Sequence, residues 1–244
     1  MKLLTIADSL AMPRREGNDI VLWNETWVYI LENELRKTGF DIQVVNRAER
    51  AKTMSSLEAP SLISEYVEFF QPDTIIIQLG VVDSMPRIFS LDEQKILNLQ
   101  IRSRFLIPDW LKKQIISNRT KRRQTITAKN PLKKVYTVPE KFPHYLSAFI
   151  NRCRTFNPDI KFLIIPILTD EQRMDSKSPG STGNKNLYNS LLNKICAENR
   201  NVQMLNEEVF RVVSAKIFCS DGYHLNKEGN LLLAEEILKK LEIY

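Results

Sequence analysis

Histidine and cysteine are scarce in this chain. Its 244 residues include two histidines and three cysteines. Cys153, Cys196 and Cys219 share no ligand-like spacing with one another or with His144 and His224, so a metal-ligand set has little to build on. An odd cysteine count without scaffold spacing argues against a disulfide framework and for free thiols in a reducing compartment. Long apolar runs are missing as well. No stretch of about 18 apolar residues is available to cross a bilayer. The opening "MKLLTIADSL" turns polar after six residues, short of a secretory h-region. It reads as a first β-strand. These absences predict a soluble, cytoplasmic protein with no metal and no membrane span.

Acidic residues are missing from one stretch. Residues 119–134 hold Arg119, Lys121, Arg122, Arg123, Lys129, Lys133 and Lys134 but no Asp or Glu. Setting those seven aside takes the formal net charge from +6 to −1. The basicity is therefore local, unlike the broad face of a general nucleic-acid binder, and nucleic acid is not an expected partner. Such a run either embraces a phosphate, nucleotide-sugar or acidic glycan, or is a solvated face.

Hydrophobic residues at 43% and charged residues at 26% suffice for a globular core, expected as one domain over residues 1–244. Strand-length apolar runs recur at residues 2–7, 41–46, 73–80, 160–167 and 202–206. The third and fourth are almost uninterrupted, as in parallel strands covered on both faces. Helical periods fall at residues 18–38, 55–70, 91–100, 139–154, 184–199 and 227–241. The alternation predicts an α/β fold: a three-layer α/β/α, flavodoxin-like, doubly wound sheet of five parallel strands. An insertion of roughly residues 84–145, with added helices, separates strands three and four. The polar segment 169–184 reads as a loop. Both segments are expected near the carboxyl ends of strands, where open α/β sheets place their sites.

In "TIADSLAMPR" a strand runs straight into Asp8 and Ser9, which puts a hydroxyl at that carboxyl edge. Serine is equally a turn and N-cap residue. In "SDGYH", Asp221 and His224 stand three apart, so both can face one point. Serine, imidazole and carboxylate are the parts of a nucleophilic triad. Alone, the Asp-His pair reads equally well as a surface turn.

Together the segments resemble the SGNH (GDSL) hydrolase family over nearly the whole chain. "ADSL" (residues 7–10) is similar to the first family block, with Ala7 for its glycine and Ser9 as nucleophile. "SDGYHLN" is similar to the last block, which puts Asp221 and His224 in the catalytic triad. "IIQLGVVD" (residues 76–83) is similar to the third block, and "NRAERAKT" (residues 46–53) follows the second strand where the family has its oxyanion-hole glycine. The resemblance implies backbone amides of Ser9 and Ala51 as the oxyanion hole, and no cofactor. Two positions depart from the pattern. Val82 replaces an asparagine whose amide serves the oxyanion, a loss typically of a hundred- to thousandfold in turnover. Ala51 replaces the glycine but keeps its N–H.

Arg14, Arg50, Asp83 and Arg87 lie in the edge loops and are the candidate substrate-binding residues, Arg87 also as a substitute for the missing amide. Asp83 reads equally as a tie between loops. Trp23, Trp27 and Tyr29 read as core of the first helix, with Trp23 a possible pocket wall; His144 reads as a surface residue at a helix start. The expected function is a serine-dependent esterase, deacetylase or acyltransferase on a small or carbohydrate ester. "GVVDSMPR" and "DSLAMPR" further resemble an SGNH subgroup of bacterial surface-polysaccharide synthesis. The alternative is a catalytically degenerate binding or scaffold protein of that fold. A phosphate- or nucleic-acid-binding module built on residues 119–134 ranks below both. Oligomeric state is not legible.

Overall fold

A computed structural model describes residues 1–39, 41–90, 93, 108–132 and 134–241. Five parallel strands form its sheet: β1 (Lys2–Ala7), β4 (Gln43–Ala48), β5 (Thr74–Gln78), β6 (Lys161–Ile164) and β7 (Val202–Met204). Their order is β4-β1-β5-β6-β7, the doubly wound, flavodoxin-like arrangement. Two further strands, β2 (Arg14–Glu16) and β3 (Asp19–Val21), pair antiparallel as a separate hairpin.

Strand periodicity divides the core into two layers. Leu4 and Ile6 of β1, Ile75 and Ile77 of β5, and Phe162 and Ile164 of β6 join one buried cluster. It is completed by α6 (Phe142–Phe156), through Phe142, Leu146, Phe149 and Ile150, and by α8 (Ser181–Glu198), through Tyr188, Leu192 and Ile195. The alternate residues Leu3, Ala7, Ile76 and Leu163 join a second cluster on the other face. There they meet Trp27, Val28, Leu31 and Leu35 of α1 (Trp27–Lys37) and Leu233, Ala234, Ile237 and Leu238 of α11 (Lys227–Lys240). The result is the predicted three-layer α/β/α stack. No helix of the described residues is long and apolar enough to cross a membrane.

Several expected helices are shorter or divided. The stretch 18–38 is helical only from Trp27. Before it the chain makes the β2–β3 hairpin, turned at Gly17 (φ +59°), and a 3₁₀ turn, Trp23–Glu25. Trp27 is fully buried, but Trp23 is 51% and Tyr29 39% exposed, so only the first is core. The stretch 55–70 is split. A 3₁₀ turn (Met54–Glu58) ends before Pro60, which lacks an N–H and starts the short α2 (Pro60–Ile63) that runs into a π-helical turn (Ser64–Phe69). After β5 comes the one-turn α3 (Val81–Ser84). Apart from Glu93, the predicted helix 91–100 lies outside the described residues. Within the insertion, α4 (Asp109–Lys121) and α5 (Arg123–Lys129) are described. The supposed loop 169–184 holds α7 (Glu171–Lys177), N-capped by Asp170, whose side chain accepts the Arg173 N–H. Beyond β7 follow α9 (Glu207–Val212) and α10 (Ser214–Ile217).

Candidate active site

β1 runs out at Ala7, and Asp8 caps the 3₁₀ turn Ser9–Ala11 by accepting the Leu10 N–H at 2.9 Å. That turn leaves Ser9 at the carboxyl edge of the sheet. The partner loop is built after α10. Phe218 bridges to Leu225, the His224 carbonyl accepts the Cys219 N–H at 2.8 Å, and the Ile217 carbonyl accepts the Asn226 N–H at 2.9 Å. Asn226 then N-caps α11 by accepting the Gly229 N–H. Inside the loop Gly222 adopts φ +89°, which would cost another L-residue roughly 1–2 kcal/mol. Asp221 Oδ1 accepts the N–H groups of Tyr223 and His224 at 3.1 and 3.0 Å. The three-residue spacing is thus a closed turn in which the carboxylate is fixed to the backbone of the histidine it faces.

Ser9 and His224, from opposite ends of the chain, meet with Oγ 3.1 Å from Nε2. His224 Nδ1 lies 2.6 Å from Asp221 Oδ2. Burial alone would raise the Asp221 carboxyl, but the hydrogen bonds from the His224 ring and backbone outweigh it and hold its pKa below the ordinary value. Arg14, on β2, joins this series. Its Nη2 is 3.1 Å from Asp221 Oδ2 and 2.5 Å from Glu16 Oε2, and its Nη1 is 2.9 Å from His224 Nδ1. A guanidinium only donates. The shorter carboxylate contact therefore assigns the Nδ1 proton to the bond with Asp221, which leaves the Nε2 lone pair facing the serine hydroxyl.

A cleft of about 470 Å³ opens beside Ser9, within the range of small-molecule sites. Ala51, Val82 and Arg87 line it, as expected of residues at this edge. Ala51 has φ +57°, the left-handed conformation that a glycine adopts freely and alanine does not. The main-chain N–H groups of Ser9 and Ala51 donate to no carbonyl among the described residues. Val82 presents only its isopropyl group, and its carbonyl accepts from Arg87 Nη2 at 3.0 Å. Arg87 also stacks over Tyr136, 4.8 Å from the ring centroid.

Three expected binding residues are placed elsewhere, Arg14 on the Nδ1 side of His224 and outside the cleft wall. Arg50 is exposed and does not line the cleft. Asp83 is fully buried: its oxygens accept the Met54 N–H at 3.0 and 3.1 Å and the Thr137 hydroxyl, so it ties three loops together. His144 is exposed, as expected. The residues not anticipated are Arg123, Lys177, Met85, Met174, Tyr136 and Tyr223, all in the cleft wall. Only Arg123 had a signal, as a member of the basic run. Of that run, Arg119 and Lys134 pair with Glu93, at 2.8 and 3.1 Å, while Lys121, Arg122 and Lys129 are exposed.

No protein-family model matches the chain, and no curated protein matches it by sequence. Solved structures match its fold over nearly its whole length. A lipase/acylhydrolase from Enterococcus faecalis is 14% identical with a TM-score of 0.63, over 98% of this chain and 94% of its own. The acetyl xylan esterase AlAXEase is 15% identical with a TM-score of 0.63, over 98% and 99%. The esterase EstA from Pseudoalteromonas sp., solved inhibited by monoethylphosphonate, is 14% identical with a TM-score of 0.59, over 99% and 96%. At these identities the likeness is one of fold: the chain has the three-layer architecture of these ester hydrolases.

Proposed function

We propose that this chain is an SGNH-type serine esterase that removes a small acyl group from a sugar-linked ester. The observation that carries this reading is the series Ser9 Oγ–His224 Nε2 at 3.1 Å and His224 Nδ1–Asp221 Oδ2 at 2.6 Å, set at the edge of a cleft. Ser9 Oγ attacks the ester carbonyl carbon as His224 Nε2 takes its proton, and Asp221 stabilises the imidazolium that forms. The tetrahedral oxyanion is held by the unengaged main-chain N–H groups of Ser9 and Ala51. His224 then protonates the departing alcohol. Water, deprotonated by His224, attacks the acyl-serine, and the same steps in reverse release the acid and restore the serine hydroxyl.

The fold shared with an acetyl xylan esterase and an acylhydrolase supports this class of reaction. Val82 favours a second reading, a retired enzyme that keeps the fold for binding, because it offers no side-chain donor to the oxyanion. One experiment separates the two. A fluorophosphonate probe is expected to label Ser9, mapped by peptide mass spectrometry, and Ser9→Ala is expected to lower p-nitrophenyl acetate turnover at least a hundredfold. An unlabelled Ser9, or equal turnover in the variant, would leave the binding reading in place.

A further inference from the structure

The cleft wall beside Ser9 carries more positive charge than ester hydrolysis needs. Arg87 and Arg123 both line it, from different segments, and Lys177 stands at the exposed rim. No carboxylate lies within ion-pair distance of either arginine among the described residues. Arg87 spends Nη2 on the Val82 carbonyl, while its buried Nε has no partner among the described residues. Arg123 spends Nε on the Ser178 hydroxyl at 2.6 Å. Asp8 and Asp83 feel the charge of Arg87, but Asp83 is committed to Met54 and Thr137 and both carboxyls are fully buried. Asp221, the one carboxylate of the wall among the described residues, is committed to His224 and Arg14. Burial lowers the Arg123 pKa, and the nearby Arg87 charge lowers it further.

Two like charges held in one partly buried cleft are unfavourable unless an anion joins them. Guanidinium forks match the oxygens of carboxylate and phosphate. We propose that the cleft recognises an ester bearing an anionic group, a sugar carboxylate or a sugar phosphate, through Arg87 and Arg123. This deepens the esterase reading and rests on it for the ester, though not for the anion.

The test uses matched substrates: acetylated glucuronic acid against its methyl ester, and acetylated glucose 1-phosphate against acetylated glucose. The native protein is expected to prefer the charged member of one pair at least tenfold in kcat/KM, and the preferred pair identifies the anion. That preference should fall about tenfold in Arg87→Gln or Arg123→Gln and persist in part in Arg123→Lys. Equal kcat/KM within both pairs, or a preference that both glutamine variants retain, overturns the proposal. If no ester is turned over, the esterase reading fails and the anion site is judged separately. Calorimetry with inorganic phosphate and with glucuronate should then show millimolar or tighter binding of one of them, weakened at least tenfold in the double glutamine variant and less in Arg123→Lys. Binding of neither, or binding indifferent to these substitutions, overturns it.

Discussion

Arg14 and Asp221 share the Nδ1 side of His224, at 2.9 and 2.6 Å. Only one of them can accept a proton. The hydroxyl of Ser9 is activated when Nδ1–H points to Asp221 and Nε2 is bare; the opposite tautomer turns Nε2 into a donor towards Ser9. Asp221→Asn is expected to produce that opposite tautomer. Its side-chain carbonyl would take the Oδ1 place, accepting the Tyr223 and His224 N–H groups, and its amide the Oδ2 place against Nδ1, which must then accept. Turnover should fall on the order of ten-thousandfold, with KM little changed because the cleft wall is otherwise intact. Steady-state kinetics and the ¹⁵N shifts of His224 measure both effects. A loss of less than tenfold would mean that Asp221 does not orient the ring.

The hairpin that delivers Arg14 also holds the loop that carries Asp221. Asp19, on β3, accepts the Ser220 N–H at 3.0 Å and the Ser220 hydroxyl at 2.5 Å. Through Arg14 and Asp19 the hairpin grips both sides of the Asp221 turn. Asp19→Ala removes two charge-assisted bonds and is expected to lower kcat/KM about tenfold, whereas Asp19→Asn, which keeps an acceptor, retains most of it. Equal kcat/KM in the alanine variant would show that the hairpin does not position the loop. None of this was legible in the sequence. Three-residue strands are too short to show a period, and the approach of Arg14 to a loop some 200 residues away has no local signal. What could be read were features that report on themselves. The uninterrupted apolar runs of β5 and β6 announced parallel strands, and the Asp-Gly-Tyr-His spacing announced a turn that closes within itself. Arg123 falls between these cases: its charge was visible in the basic run, but its turn into the cleft is set by α5 packing and the bond to Ser178.

Over the whole molecule, the carboxyl ends of β1 and β5 bury two acids. Asp8 is pushed up to about 7, by burial first and by the nearby Asp83 charge, against the lowering effect of the Leu10 N–H. Asp83 is pushed up to about 6 by burial, offset by its bonds from Thr137 and Met54. Both groups bind a proton more tightly folded than unfolded. Their stabilising contribution is therefore complete below the unfolded value of 3.8 and is lost as pH rises through about 6 and about 7. Asp221 acts in the other direction, since its lowered pKa stabilises the fold above the ordinary carboxylate value and is lost only in stronger acid. Asp8→Asn isolates the largest effect. The amide keeps an acceptor for the Leu10 N–H but cannot ionise, so the variant lacks a pH-dependent contribution on the order of 4 kcal/mol. The melting temperature of Asp8→Asn relative to the native chain should climb from pH 4 to pH 7 and level off above pH 8. A gap that stays constant over that range would mean that Asp8 does not titrate there, and that its buried Oδ2, which has no partner among the described residues, is charged throughout.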